Sequence, residues 1–195
     1  MKKFNTIMVC HLLLMAALLL FSIFAAVMMI GGIGDAFTDQ HRINVVMNGI
    51  WHFMLAVSLV LGIIYIFNKY SKSAAKFYKA FLFSQFVRSI FLICINIFLY
   101  NLNFWTILSI VLLVIQAAIL IILVFKKDLG KEKTWILFWI LLGTDFFNAL
   151  IMSISVPLSV LFYRITGALS TLVLDGTIAL AIKGKYDDKE SRGTK

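Results

Sequence analysis

The sequence predicts an all-α, polytopic membrane protein: six transmembrane helices arranged as three helical hairpins, N-in/C-in, with both termini in the cytoplasm. Three observations predict it. The first is composition: 62% of the 195 residues are hydrophobic and the mean hydropathy is +0.99, whereas a soluble domain is about half apolar. The second is segmentation, because the apolar residues fall into six long runs. The third is charge, because the lysines gather at alternate ends of those runs.

A helix needs about 20 apolar residues to cross a bilayer. The runs cover residues 6–33, 44–67, 77–100, 104–125, 134–156 and 158–182, and 183–195 reads as a cytoplasmic tail. The whole chain, 1–195, is expected to be a single membrane domain. Lys2 and Lys3 precede the first run as in a signal peptide, but that run continues from Ile7 to Ile33. Signal cores are about 7–15 residues long, so a retained helix is expected. The Ile and Val content would allow strands in water. In lipid only helices or closed barrels satisfy the backbone, and barrel strands of about 10 alternating residues are not seen.

Basic residues fix the expected orientation. Lys2 and Lys3 precede the first run; Lys69, Lys72, Lys76 and Lys79 flank the second connection; Lys126, Lys127, Lys131 and Lys133 flank the fourth. Lys183, Lys185, Lys189, Arg192 and Lys195 follow the last run, which leaves only Arg42, Arg88 and Arg164 elsewhere. If successive helices alternate, all the lysines share one side, and the positive-inside rule makes it the cytoplasm. On the other side lie a loop over 34–43, a tight turn from Asn101 to Asn103, and Pro157, which biases Val156 away from helix. Gly31, Gly32 and Gly34 read as a helix stop. Trp105 and Tyr100 fall at the outer interface, and Tyr70, Tyr78 and Trp135 at the inner one, as an aromatic belt. Cys10 and Cys94, inside apolar runs, are expected to pack among the helices as small apolar residues.

The net charge is +9. Spread over connections rather than along one face, it points to the anionic inner leaflet of the bilayer and not to nucleic acid. A small-molecule ligand and a membrane protein partner are the other expected partners. No cofactor, metal or catalytic residue is expected. The sequence has no G-x-S-x-G, no H-E-x-x-H and no phosphate-binding loop, and no two of His11, His41 and His52 stand at ligand spacing on one helix.

Ionisable groups inside a bilayer are costly and so are functional candidates. Counted at 1.5 Å per residue from the nearest boundary lysine, Arg88 lies ~13 Å deep, Asp175 ~12 Å and Asp145 ~18 Å. Arg88 and Asp175 thus stand at one level, with Asp145 slightly deeper. Arg88 and Asp145 also coincide when Lys76 is laid over Lys133. Each belongs to a stripe of polar or small residues at helical spacing: Gln85, Arg88, Ser89 and Asn96; Asp145, Asn148 and Ser155; Arg164, Gly167, Ala168, Thr171 and Asp175. The second helix adds Asn48, Trp51 and His52, and the fourth only Gln116. The candidate ligand-binding set is Arg88, Asp145, Asp175, Asn148, Gln85, Thr171, Arg164, Trp51 and His52, although Arg164 also suits an interfacial, snorkelling position.

Size, six spans and inner termini resemble the substrate-binding subunits of energy-coupling-factor vitamin transporters. Small residues on the first helix of that family face the coupling subunit, and Ala16, Ala17, Ala25 and Ala26 make the corresponding helix alanine-rich. The resemblance is one of topology and composition, and it carries no site residue over.

The function expected first is small-molecule transport or substrate capture in the cell membrane, through a polar site in the bundle. The alternative is a non-catalytic interaction, assembly or immunity-type protein whose buried charges are interhelical glue. An intramembrane enzyme comes last. Transport requires Asp145 to face a cavity of a few hundred Å³; a dry core with all three charges mutually paired would contradict it.

Overall fold

The computed structural model describes residues 6–31, 39–99, 101–126, 129–154 and 158–184, except for the side chains of 39–41, 44, 152–154, 158–161, 163 and 164. Six helices make up its regular structure: α1 (Thr6–Gly31), α2 (Asp39–Asn68), α3 (Ala74–Leu99), α4 (Phe104–Phe125), α5 (Lys131–Ile154) and α6 (Leu158–Ile182). All six are long and apolar enough to cross a membrane.

Three helices start before their apolar runs do. Hydropathy marks the part that lipid can hold, whereas the i→i−4 hydrogen-bond ladder continues into polar residues. So α2 takes in Asp39 and Arg42, α3 starts at Ala74 and α5 starts at Lys131. The loop expected over 34–43 is shorter as a result, and its remainder lies outside the described residues. Outside them too are the expected turn at Pro157, the belt position of Tyr100, and the tail beyond Gly184.

The α3–α4 turn shows how polar side chains restart a helix. Asn103 caps α4: its Oδ1 accepts from the Thr106 backbone N–H at 2.9 Å and from Thr106 Oγ1 at 3.1 Å. Such a cap contributes about 1 kcal/mol. The other end of α6 stops at Gly184, whose φ of 75° is left-handed and whose N–H bonds back to the Ala181 carbonyl at 3.2 Å.

Every helix packs against the next, α2 on α3 and α4 on α5 as well as the three pairs of the expected hairpins. Then α6 closes back onto α2. Five helices, α2 to α6, therefore form a closed ring, and α1 lies outside it against α2 and α6. Across the ring α3 and α6 make no close backbone contact among the described residues, so only long side chains can join them.

The interior of the ring has two storeys. One end of the bundle carries every described lysine: Lys69, Lys72, Lys76, Lys79, Lys126, Lys131, Lys133 and Lys183. The half beneath that end is a dry apolar core, with Phe81, Phe138, Leu59, Leu120, Leu174 and Ile178 almost wholly enclosed. In the opposite half the buried side chains include His52, Arg88, Ser89, Asn96, Ser109 and Thr171.

The outer surface is apolar, with Leu13, Leu20, Val27, Phe98, Phe125 and Phe147 all exposed. Two sequence expectations are corrected here. Cys10 and Cys94 are exposed free thiols on this outer surface, not packed among helices; a small apolar group is tolerated as well by lipid as by a core. Tyr78 turns inward from the expected belt to pack on Tyr65, ring centroids 5.3 Å apart, against the apolar core. Trp135 and Tyr70 do meet boundary lysines, with Lys183 Nζ 4.4 Å from the Trp135 ring and Lys69 Nζ 5.2 Å from that of Tyr70.

Candidate functional site

A cavity of about 80 Å³ occupies the polar storey. Its wall is built by the five ring helices and by none of α1. From α2 come Asn48, Trp51 and His52; from α3, Arg88, Ser89, Leu92 and Asn96. Gln116 enters from α4, while α5 adds Asp145, Asn148 and Ala149, and α6 adds Ala168 and Thr171.

The helical repeat explains these positions. Ser89, Leu92 and Asn96 stand three and four residues apart, on one face of α3. Asp145, Asn148 and Ala149 do the same on α5, and Ala168 and Thr171 on α6. Gly167 lets α6 approach α2: a Cβ there would run into the Trp51 ring at Cζ3. Trp51 in turn meets His52 edge to face at 4.9 Å, and Phe21 of α1 backs His52 at 6.3 Å. The outer helix thus supports the wall without forming part of it.

The expected charged layer is present at the boundary between the storeys. Arg88, Asp145 and Asp175 lie within electrostatic reach of one another. Each carboxylate is held by an amide from another helix. Gln116 Nε2 donates to Asp145 Oδ1 at 2.7 Å, and Gln85 Nε2 donates to Asp175 Oδ1 at 3.1 Å. The second bond reaches across the ring from α3 to α6. The charges are not fully consumed by these contacts: Arg88 Nη1 and Asp175 Oδ2 are buried with no hydrogen-bond partner. In the wall, Trp51 Nε1 and Asn96 Oδ1 are also buried and unpartnered.

Of the candidate residues, Arg88, Asp145, Asn148, Thr171, Trp51 and His52 all line the cavity. Gln85 and Asp175 do not; they lie buried beneath it. Arg164 belongs to α6, but its side chain is outside the described residues. The expectation that α4 contributes only Gln116 is corrected. Ser109, fully buried, donates to Asn148 Oδ1 at 2.6 Å and accepts from Asn96 Nδ2 at 3.4 Å. Ser109 stands seven residues before Gln116, two turns along the same face, and that spacing was the signal available in the sequence. Thr171 spends its hydroxyl on the Gly167 carbonyl at 3.1 Å, so its methyl and its acceptor lone pairs are what it can offer the cavity.

A water needs roughly 10–15 Å³ of such space and two to four polar partners. The cavity therefore has room for several waters or for a ligand of a few heavy atoms. It falls short of the few hundred Å³ that the transport reading required; that expectation is corrected, and only a solute of a few heavy atoms fits. Among the described residues no group of His, Cys, Asp and Glu could hold a metal ion.

Six apolar helices with an apolar outer surface and a polar interior chamber fit an integral, multi-pass membrane protein. No protein-family model, no curated protein and no solved structure matches the chain.

Proposed function

We propose that this protein captures and transports a small polar solute across the cell membrane, binding it in the chamber between α2 and α6. The observation that carries this reading is a polar cavity walled by Arg88 and Asp145 in which buried hydrogen-bonding atoms stand unpartnered. Leaving such atoms unpaired costs about 1–3 kcal/mol each, and a bound polar solute with its waters removes that cost. The volume limits the solute to a few heavy atoms. With the lysine end in the cytoplasm, the chamber lies in the outer half, and the apolar core beneath it is the barrier on the inner side.

A second reading is favoured by the Gln116–Asp145 and Gln85–Asp175 bonds, which tie α4 to α5 and α3 to α6. On that reading the polar groups hold together a non-catalytic interaction or assembly protein. One experiment separates the two. Wild type and Ala168→Leu, which fills the cavity, are extracted in native-lipid nanodiscs and their small-molecule contents compared by mass spectrometry. Capture predicts a stoichiometric low-mass solute in the wild type and its loss from an equally folded variant. Identical contents, or none in either, would favour the assembly reading.

A further inference from the structure

We propose that the ligand of this chamber is a small cation of the ammonium class, seated against Asp145; the inference rests on the capture reading above. It begins with formal charge. Two carboxylates within hydrogen-bonding range of each other and one guanidinium meet in the charged layer, so the layer is neutral only when it takes up one further positive charge, a proton or a cationic guest. Among the described residues no lysine or second arginine lines the cavity to supply it. The partners of the two carboxylates, Gln116 and Gln85, are neutral amides, and all the described lysines are at the far side of the apolar core. An uncompensated charge in a low-dielectric interior is strongly unfavourable. A single positive charge brought into the cavity removes the imbalance, whereas an anion on Arg88 would deepen it.

The wall suits such a guest independently of that charge. Asn96 is 2% exposed, lines the cavity and has its Oδ1 unpartnered. That oxygen can only accept, so it calls for a donor such as an ammonium N–H. Trp51 presents an indole, whose face attracts cations, and an unpartnered Nε1–H that would donate to a ligand hydroxyl. A molecule with one ammonium and one hydroxyl, separated by a short stem, matches both groups and the volume. Asp175 has a distinct part: it does not line the cavity, yet it stands beside Asp145 as the second carboxylate of the layer, so a guest cation replaces the proton that the pair would otherwise share.

The test is thermal unfolding of the full chain in detergent, at constant ionic strength set with bulky N-methylglucamine chloride. The probes are methylammonium, 2-aminoethanol, acetamide and acetate. The proposal expects the two amines to raise the melting temperature saturably, by about 5 °C at a hundredfold excess over Kd, and acetamide and acetate to leave it unchanged. Asp145→Asn should abolish the amine response. Asp175→Asn should abolish it too, although that side chain touches no ligand, and it decides the matter if the first variant does not fold. An equal rise with acetate or acetamide would overturn the cation while leaving capture intact, and no rise with any probe would overturn both. Stabilisation by acid alone, without an amine response, would assign the missing charge to a proton and overturn the proposal.

Discussion

The two storeys of the bundle are built from the same five helices yet are opposite in character. Towards the lysine end Phe81, Phe138, Leu120 and Leu174 are almost wholly enclosed in one apolar cluster. In the other half the same helices present amides, hydroxyls, a guanidinium and a carboxylate around an open volume. Seen from lipid the two halves look alike, since both expose Leu, Val, Ile and Phe. The difference teaches that the proposed function rests on the inner face of one half, with the other half as the wall behind it.

Substitutions can break that contrast. The largest effect is expected in the dry half, where Phe138→Ala leaves a void that nothing fills, at a cost of about 3–5 kcal/mol. The same truncation beside the chamber, Leu92→Ala, enlarges a space that already exists and should cost clearly less; reversible unfolding of both in mixed micelles makes the comparison. Arg88→Ala comes next, at about 3 kcal/mol, because two carboxylates are then left without their cation. If Arg88 serves the ligand more than the fold, the variant instead keeps its melting temperature and loses binding, and measuring both on one preparation decides. Gly167→Ala drives a methyl into the Trp51 ring. Overpacking of that kind costs about 1–3 kcal/mol, and it should shift Trp51 fluorescence while leaving the apolar core intact. Asn96→Ala should be the mildest, below about 1 kcal/mol, since its Oδ1 is unpartnered already and its Nδ2 makes only a long 3.4 Å bond.

Much of this contrast was legible in the sequence, for a physical reason. Charge and hydropathy report on solvent, so the six spans and the shared lysine end could be read directly, and rise per residue placed Arg88, Asp175 and Asp145 near one level. The structure brings those three together. What could not be read is which face of each helix turns inward. A water-soluble helix marks its buried face by apolarity; in lipid both faces are apolar, and the mark is lost. So Cys10 and Cys94 face outward where an inward position was expected, and Tyr78 turns inward. The outside position of α1 has the same origin, because nothing in its even apolarity separates ring from periphery. Ser109 escaped notice because a lone serine hydroxyl in a strongly apolar helix carries little weight until its partners, Asn96 and Asn148, are in place. Asp175 fell beneath the chamber rather than in its wall because depth along a helix does not give rotation about it.

The central claim is that one storey is wet and the other dry. Hydroxyl-radical footprinting of the wild-type chain in nanodiscs tests it most directly, since radicals generated from internal water oxidise the aromatic rings beside that water. The account predicts oxidation of Trp51, in the chamber wall, with Phe81 and Phe138 protected. Trp51 protected as fully as Phe138 would mean that the chamber holds no water, and the account would be contradicted.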